Sequence, residues 1–427
     1  MGSSKSRFAS PAHVTVRCPA SMVLFLHNRY RSTGGAERVV EDLLWLVRDR
    51  LGEDAQLLAR DSAAVPRARA ALGLVRGGLS PGEVAGAVRR SGAGLVHAHN
   101  LQPTLGWRAL AAARREGAAV VLHLHQYRLV CAVGVCFTRG SECTRCHGRN
   151  TLPGLARNCR GSAPEAAAYA VALAAWQRRL IAQADMVLVP SRFARDRLAE
   201  LGAPLPWERV RVLAPPLRIA PAPPLRVPPA SPPGAPSGAH LPEAGAGIAA
   251  TGRYALVVSR LSPEKGIDVA IGACRRAGIA LVIAGDGPER GRLEALARGA
   301  EVKLLGAVDD DELARLRAGA AVALAPSRSA ETFGVAPAES MAAGVPVVGS
   351  RIGALPEILE QDELVAPGDE QALAEAIVRR AGDRAAGERA RVRIATVCGP
   401  DTVAGGLSAI YEEARARAAE RLPARTP

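Results

Sequence analysis

The segment from Pro215 to Pro242 holds 11 prolines in 28 residues, with Ala, Gly and Ser between them. Proline locks φ and lacks a backbone N–H, so neither a helix nor a strand ladder runs through such a stretch. It reads as a linker, and it divides the 427-residue chain into parts of 214 and 185 residues. Each part is long enough to fold around its own core. A chain so divided is two domains joined by a hinge, not one continuous sheet or bundle.

Both parts alternate short apolar runs with helical patterns. In the first, strands are predicted at Met22–His27, Gln56–Leu58, Gly94–Ala98, Ala119–Leu124, Met186–Val189 and Val210–Leu213, with helices over Ala36–Asp49, Pro103–Arg115 and Arg192–Leu201. In the second, strands are predicted at Tyr254–Ser259, Leu281–Ala284, Val302–Leu304, Val322–Ala325 and Val347–Gly349. Helices fall at Gly266–Arg276, Glu289–Arg298, Asp309–Ala318 and Val335–Ala343. Continuous apolar strands separated by helices imply parallel sheets covered on both faces. The expected architecture is α/β: two Rossmann-like domains facing a cleft. In such sheets ligands bind beyond the carboxyl ends of the strands, and that is where the informative residues sit.

Charge narrows the class of partner. Lys+Arg number 55 against 41 Asp+Glu, a net +14. Only Lys5, Lys265 and Lys303 are lysine, so the excess is scattered arginine of the kind a GC-rich genome produces. Aromatics are 3%, too few for the stacking platforms of single-strand binders, and nucleic-acid binding is not expected. No run of 18 apolar residues occurs, so no transmembrane helix is expected. Met1–Pro19 reads as a flexible leader without a secretory apolar region. Five of the eight cysteines fall within 29 residues, Cys131, Cys136, Cys143, Cys146 and Cys159. Without a secretory signal, such a cluster reads as metal-binding before disulfide, with reduced thiols or disulfides as alternatives.

The second part carries the densest chemistry. Arg260 and Lys265, five residues apart, flank a turn that opens a helix. They would converge above the strand end on a pyrophosphate; the alternative is a basic loop pairing with carboxylates. Gly285-Asp286-Gly287-Pro288 permits close backbone approach at a helix start, or is a plain tight turn. Glu331 and Glu339 lie eight apart, one before a helix and one inside it, around Phe333-Gly334-Val335. The helix start offers free N–H groups, and a carboxylate suits a vicinal diol.

These phrases together resemble the family-4 glycosyltransferases (group 1, GT-B fold, retaining). The segment from Glu331 to Glu339 is similar to that family's E-x7-E region. Arg260 and Lys265 match its donor-phosphate motif, with Ser259 where the family has Gly. Gly285–Pro288, Gly353–Glu357 and Leu364–Asp369 match its further loops. In the first part, His27–Val40 with Gly34-Gly35 resembles the family's N-terminal glycine loop. Val96–Asn100 matches a strand end, and His123–Cys131 resembles the segment that holds the active-site histidine at His125, with Gln126 replacing the usual Asn or Asp.

The resemblance implies a retaining transfer of a sugar from a nucleotide diphosphate sugar, UDP- or GDP-linked, to an acceptor hydroxyl. Glu339 would hold the donor ribose and Glu331 the sugar hydroxyls. Arg260 and Lys265 would neutralise the diphosphate, with Gly287, Phe333, Gly334 and Val335 beside the donor and His125 positioning the sugar. Gly34, Gly35 and His99 would form an acceptor or phosphate loop. No cofactor is expected for catalysis. A subset of the family carries a cysteine insertion, which makes a structural zinc on Cys131, Cys143, Cys146 and Cys159 the expectation for residues 131–159. Domains are expected at 20–214 (acceptor side) and 253–400 (donor side), joined by a 215–252 linker, with 1–19 as the leader and a crossing helix and tail at 401–427. The acceptor would be a carbohydrate, a lipid-linked precursor or a small molecule. The protein would be cytoplasmic, with peripheral contact at the inner membrane face. A nucleotide-sugar epimerase and an inactive zinc-braced binding protein are the rival readings.

Overall fold

The computed structural model describes residues 21–29, 34–219 and 254–421. The expected leader, most of the proline-rich linker and residues 422–427 lie outside the described residues. Two six-stranded, all-parallel sheets form the body of the protein. In the first part the strands are β1 (Met22–Arg29), β2 (Asp54–Asp61), β3 (Leu95–Ala98), β4 (Ala119–His123), the hairpin β5 (Phe137–Thr138) and β6 (Ser141–Glu142), β7 (Met186–Val189) and β8 (Val210–Val212). The sheet runs β2-β1-β3-β4-β7-β8, with the hairpin apart from it. In the second part β9 (Tyr254–Val258), β10 (Ala280–Ala284), β11 (Val302–Gly306), β12 (Ala320–Ala325), β13 (Val347–Ser350) and β14 (Leu364–Val365) order as β11-β10-β9-β12-β13-β14.

Helices cover both faces of each sheet, which is why the central strands are apolar at successive positions. They are α1 (Gly35–Asp49), α2 (Arg67–Arg76), α3 (Pro81–Ser91), α4 (Gly106–Arg115), α5 (Leu152–Ala156), α6 (Ala163–Ala182) and α7 (Arg192–Glu200) in the first part. The second part adds α8 (Ile267–Ala277), α9 (Arg290–Ala297), α10 (Asp310–Gly319), α11 (Val335–Ala342), α12 (Leu355–Ile358), α13 (Glu370–Arg380), α14 (Arg384–Cys398) and α15 (Pro400–Arg421). On the first sheet Leu24, Leu26, Val96 and Leu122 pack under α3, α4 and α7. Val23, Phe25, Val121 and Leu188 pack under α1 and α15. The second sheet buries Val257, Ile283 and Leu324 under α8 and α13, and Ala323 and Val347 under α11 and α14.

Three departures from expectation have plain causes. β2 extends well beyond Gln56–Leu58 because it pairs with β1 from Asp54 to Asp61, and its edge position tolerates the polar residues that hid it. Helix α6, 20 residues long, is not among the expected helices, because exposed Val171, Ala174 and Ala175 blur its buried stripe. Residues 215–219, expected in the linker, are packed: Leu217 is buried against Ala390, Ile394 and Cys398, and its N–H donates to the Cys398 carbonyl at 3.0 Å.

Helix α15 leaves the second part and lies across the first. Val403, Leu407, Ile410, Tyr411, Ala414 and Ala418 recur at helical spacing and are buried against the first sheet. The carboxyl ends of the two sheets thus face one another over a cavity of about 910 Å³.

Candidate active site

On the donor-side wall, β9 ends at Val258 and its loop carries Arg260 and Lys265 to the cavity. The turn closes at Gly266, where φ is +64° and a Cβ would lie 2.1 Å from the Pro326 carbonyl oxygen. Only glycine fits there, and this close approach brings the loop after β12 beside Lys265. Lys265 Nζ donates to Glu331 Oε1 at 2.6 Å, and Ser327 Oγ donates to the same oxygen at 2.6 Å. Burial pushes the Glu331 carboxyl up, but the Lys265 charge and these two hydrogen bonds outweigh it and hold the group below its ordinary value. Arg260 pairs with Glu264 and donates to Ser262 Oγ at 3.3 Å. The basic loop does pair with carboxylates, and both cations are nonetheless on the cavity wall.

Phe333, Gly334 and Val335 also line the cavity at the start of α11. Gly334 has φ +101° and its carbonyl accepts from the Ala338 N–H at 3.1 Å. The first N–H groups of α11 have no partner within the helix and are available to an anion. Two expected donor residues sit elsewhere. Glu339 is one turn down α11, off the cavity wall, bonded to Arg317 at 2.5 Å and facing Arg38 of α1 at 3.4 Å. Gly287 is off the wall too. A Cβ there would lie 2.4 Å from the Leu261 carbonyl oxygen, so this glycine lets its turn pack behind the Arg260 loop.

On the facing wall, Gly34 and Gly35 line the cavity, and a Cβ on Gly35 would touch the Val335 side chain at 3.6 Å. His125 lies on the same wall. His99, expected to reach the ligand, is instead 3% exposed and behind His125; its Nδ1 and His125 Nε2 share a hydrogen bond at 2.8 Å. His97 and His123 lie on β3 and β4, and His99 and His125 follow two residues later just past the strand ends, so the four rings fall on one side and stack. Burial, reinforced by neighbouring imidazoles, lowers all four, His97 to about 3. His125 is therefore neutral at pH 7. The domains meet at this point: Thr332 Oγ1 donates to the His125 carbonyl at 2.9 Å, and Ser191 Oγ to the Thr332 carbonyl at 2.7 Å.

Ring nitrogens of His97, His99 and His123 approach within 4.8 Å of one another. A metal must lie in the plane of each imidazole it binds. These rings stand nearly parallel, at 7–34° to each other, so their lone pairs do not converge. The cysteine insertion does not form a preformed centre either. Tetrahedral thiolates around zinc stand about 3.8 Å apart, from Zn–S near 2.3 Å. Among the described residues no three cysteine sulfurs lie within 4.8 Å of one another. Cys131 and Cys136 are buried free thiols, and Cys159 Sγ lies 3.5 Å from Thr138 Oγ1. The set Cys131, Cys143, Cys146 and Cys159 is therefore not brought together, and no chemistry is derived through a metal.

Reading the sequence overlooked Arg38, Arg317 and Tyr411, which brace Glu339 and His97 from separate segments. No local pattern marks them.

The family profile "Glycosyl transferase 4-like domain" matches residues 12–216, and "Glycosyl transferases group 1" matches residues 244–393. A GDP-mannose-dependent alpha-(1-6)-phosphatidylinositol dimannoside mannosyltransferase of Mycobacterium tuberculosis is 48% identical over 109 residues, 24% of this chain and 28% of that protein. The phosphatidyl-myo-inositol mannosyltransferase of Mycobacterium leprae is 36% identical over 144 residues, 31% of this chain and 38% of its own. These matches span only about a third of those relatives. Over the whole fold the chain resembles sucrose-phosphate synthase from Thermosynechococcus elongatus, with TM-score 0.63 and 17% identity over 93% of this chain and 99% of that one. It also resembles Anabaena HepE in complex with UDP and glucose, with TM-score 0.58 and 18% identity over 92% and 99%. The fold is GT-B, and the chain belongs to the group 1, family-4 glycosyltransferases.

Proposed function

We propose that the protein transfers a sugar from a nucleoside diphosphate sugar to an acceptor hydroxyl with retention at the anomeric carbon. The observation that carries this reading is the Lys265–Glu331–Ser327 cluster, set opposite neutral His125 across an interdomain cavity. The bond from C1 to the β-phosphate oxygen breaks, the acceptor oxygen bonds to C1 on the same face, and the acceptor proton passes to the departing phosphate oxygen. Negative charge grows on the diphosphate, where Lys265, Arg260 and the start of α11 meet it. Glu331, kept ionised by Lys265, accepts hydrogen bonds from donor sugar hydroxyls and stabilises the developing positive charge at C1. His125 orients the sugar without adding a charge. Glu339, held by Arg317 and Arg38 one turn down α11 and off the cavity wall, meets the donor ribose only by giving up one of those arginines. UDP- and GDP-sugars are the donor classes. The acceptor is a carbohydrate, a lipid-linked precursor or a small molecule, met in the cytoplasm at the inner membrane face. No helix among the described residues is long and apolar enough to cross a membrane.

A donor panel with detection of released nucleoside diphosphate tests the reading. One donor should turn over with acceptor-dependent release. Glu331→Gln and Lys265→Ala should each lower kcat/KM by at least ~100-fold while the protein keeps its fold. Undiminished turnover in either variant would refute the site, and donor conversion without an acceptor would turn the reading to an epimerase.

A further inference from the structure

Helices α2 and α6 lie side by side on the first domain, joined through Leu74, Tyr169, Ala172 and Trp176. The Trp176 indole N–H donates to the Val75 carbonyl at 3.0 Å. Their inner sides wall the cavity through Arg67, Ala70, Ala71, Leu74, Ala168 and Tyr169. Their outer sides expose large apolar residues: Leu72 is 42% exposed, Val75 49% and Val171 54%. On α6, Val171, Ala174, Ala175 and Arg178 follow i, i+3, i+4, i+7 and all are exposed, on a face that Arg149 touches through a hydrogen bond to the Ala174 carbonyl at 3.4 Å. A buried helix pair with scattered exposed valines would need no explanation. Here the exposed apolar residues share two adjacent helices at the rim of the main cavity.

Charge on the same helices is one-sided. Arg67, Arg69, Arg76, Arg178 and Arg179 are exposed, whereas the sole acid on either helix is Glu165, whose Oε1 accepts from Arg160 Nη2 at 2.6 Å and Nε at 3.0 Å. Helices α10 and α1 mix their arginines with acids, Asp310, Asp311 and Glu312 on the one and Glu37, Glu41, Asp42 and Asp49 on the other. Helix α4 also carries arginines without an acid, Arg108, Arg114 and Arg115, but exposes no large aliphatic side chain. The distinguishing property of α2 and α6 is the lack of acids beside exposed aliphatic side chains. A soluble polyanion would satisfy the arginines and leave Leu72, Val75 and Val171 in water. A bilayer with anionic headgroups satisfies both, because phosphates meet the guanidinium groups while the aliphatic chains enter the headgroup–acyl boundary.

We propose that α2 and α6 form a docking face for an anionic phospholipid surface, seating the mouth of the interdomain cavity at the lipid–water boundary. This deepens the membrane-face setting of the proposed function and rests on it, yet the docking itself needs no donor. An acceptor hydroxyl carried on a lipid headgroup would then reach His125 and Glu331 along the wall that these helices build.

Flotation of the full chain with vesicles tests the proposal. Wild-type protein should float with vesicles of mixed phosphatidylglycerol and phosphatidylcholine and not with phosphatidylcholine alone, and high salt should weaken the association. The double variant Arg69→Glu/Arg76→Glu should lower partition by roughly tenfold or more. Leu72→Ser/Val75→Ser should lower it severalfold while the thermal midpoint stays within a few degrees of wild type. Equal flotation with neutral vesicles, no flotation at all, or partition unchanged in both variants would overturn the proposal. So would displacement from vesicles by a short DNA duplex combined with no effect of Leu72→Ser/Val75→Ser, which would mark a general polyanion patch. Nucleoside diphosphate release with a water-soluble acceptor is measured on the same preparations. Loss of flotation with intact turnover removes only the docking face, and loss of turnover with intact flotation removes only the transfer reaction.

Discussion

Glu331 owes its position to a residue that carries no chemistry. Gly353 has φ +64°, and a Cβ there would stand 2.3 Å from the Glu331 backbone nitrogen and 2.6 Å from its carbonyl oxygen. The Ala354 N–H donates to that same carbonyl at 2.9 Å. Replacing the glycine forces a left-handed conformation on an L-residue, which costs ~1–2 kcal/mol, and also drives the Glu331 backbone away from Lys265. Gly353→Ala should therefore lower the melting midpoint by roughly 2–8 °C and cut kcat by at least tenfold. Paired unfolding and turnover measurements check this, and a variant that loses stability alone would mean Glu331 tolerates the shift. At this scale much of the site was legible in the sequence. Lys265, as one of three lysines, and Glu331, in its dense phrase, stood out from the arginine background. Ser327 and the purpose of Gly353 did not, because each acts on Glu331 through a fold that brings separate segments together. His99 misled for a related reason. Strand alternation puts it on the same face as His125, but depth along the strand decides which of two such rings meets the cavity.

Between elements, Glu357 of α12 caps a helix of the other domain. Its carboxylate accepts from the backbone N–H groups of Arg192 at 3.1 Å and Phe193 at 2.6 Å, at the start of α7, where Ser191 Oγ also accepts from Ala194 N at 2.9 Å. A carboxylate at a helix start satisfies two orphan donors and meets the positive end of the helix dipole. Glu357→Ala should cost about 1 kcal/mol. Hydrogen exchange in the peptide spanning Arg192 and Phe193 should speed up by about fivefold, with little change in the second domain core. Unchanged exchange would show that Ser191 alone suffices. The strand–helix succession was readable from the sequence wherever strands are buried on both faces, as at Met186–Val189, whose bounds match. It failed where the environment is mixed. The edge strand β2 is partly polar, and α2 and α6 carry outward apolar residues that dilute an inward stripe. Glu357 was visible as part of a family loop, but its work on α7 depends on how the two domains meet.

Taken whole, the molecule is tied together by α15, which belongs in sequence to the second half and in packing to the first. Beneath it stands the histidine column, where His97 Nδ1 and the Tyr411 hydroxyl hydrogen-bond at 2.7 Å. Burial holds His97, His99, His123 and His125 neutral, with His97 lowered to about 3. In an unfolded chain each would titrate near 6.5. Above that value both states are neutral and the column takes nothing from stability. As pH falls below it, the unfolded chain binds protons that the folded chain refuses, so stability declines with a slope approaching ~1.4 kcal/mol per pH unit for each histidine. The four rings stand in one stack, so the loss falls on the first domain. The first domain, with α15 lying over the column, should therefore unfold first on acidification, its melting midpoint falling steeply between pH 6.5 and 5. The second domain carries no histidine among its described residues and should lag behind. Replacing His123 by Phe keeps an aromatic ring in the stack and removes one group that burial holds neutral, so stability should fall less steeply with acid than in the wild type. Calorimetry across this range distinguishes the outcomes. Two domains melting together with a flat profile down to pH 5 would mean that the column accepts protons while folded, and the neutral state assigned to His125 in the transfer reaction would fall with it.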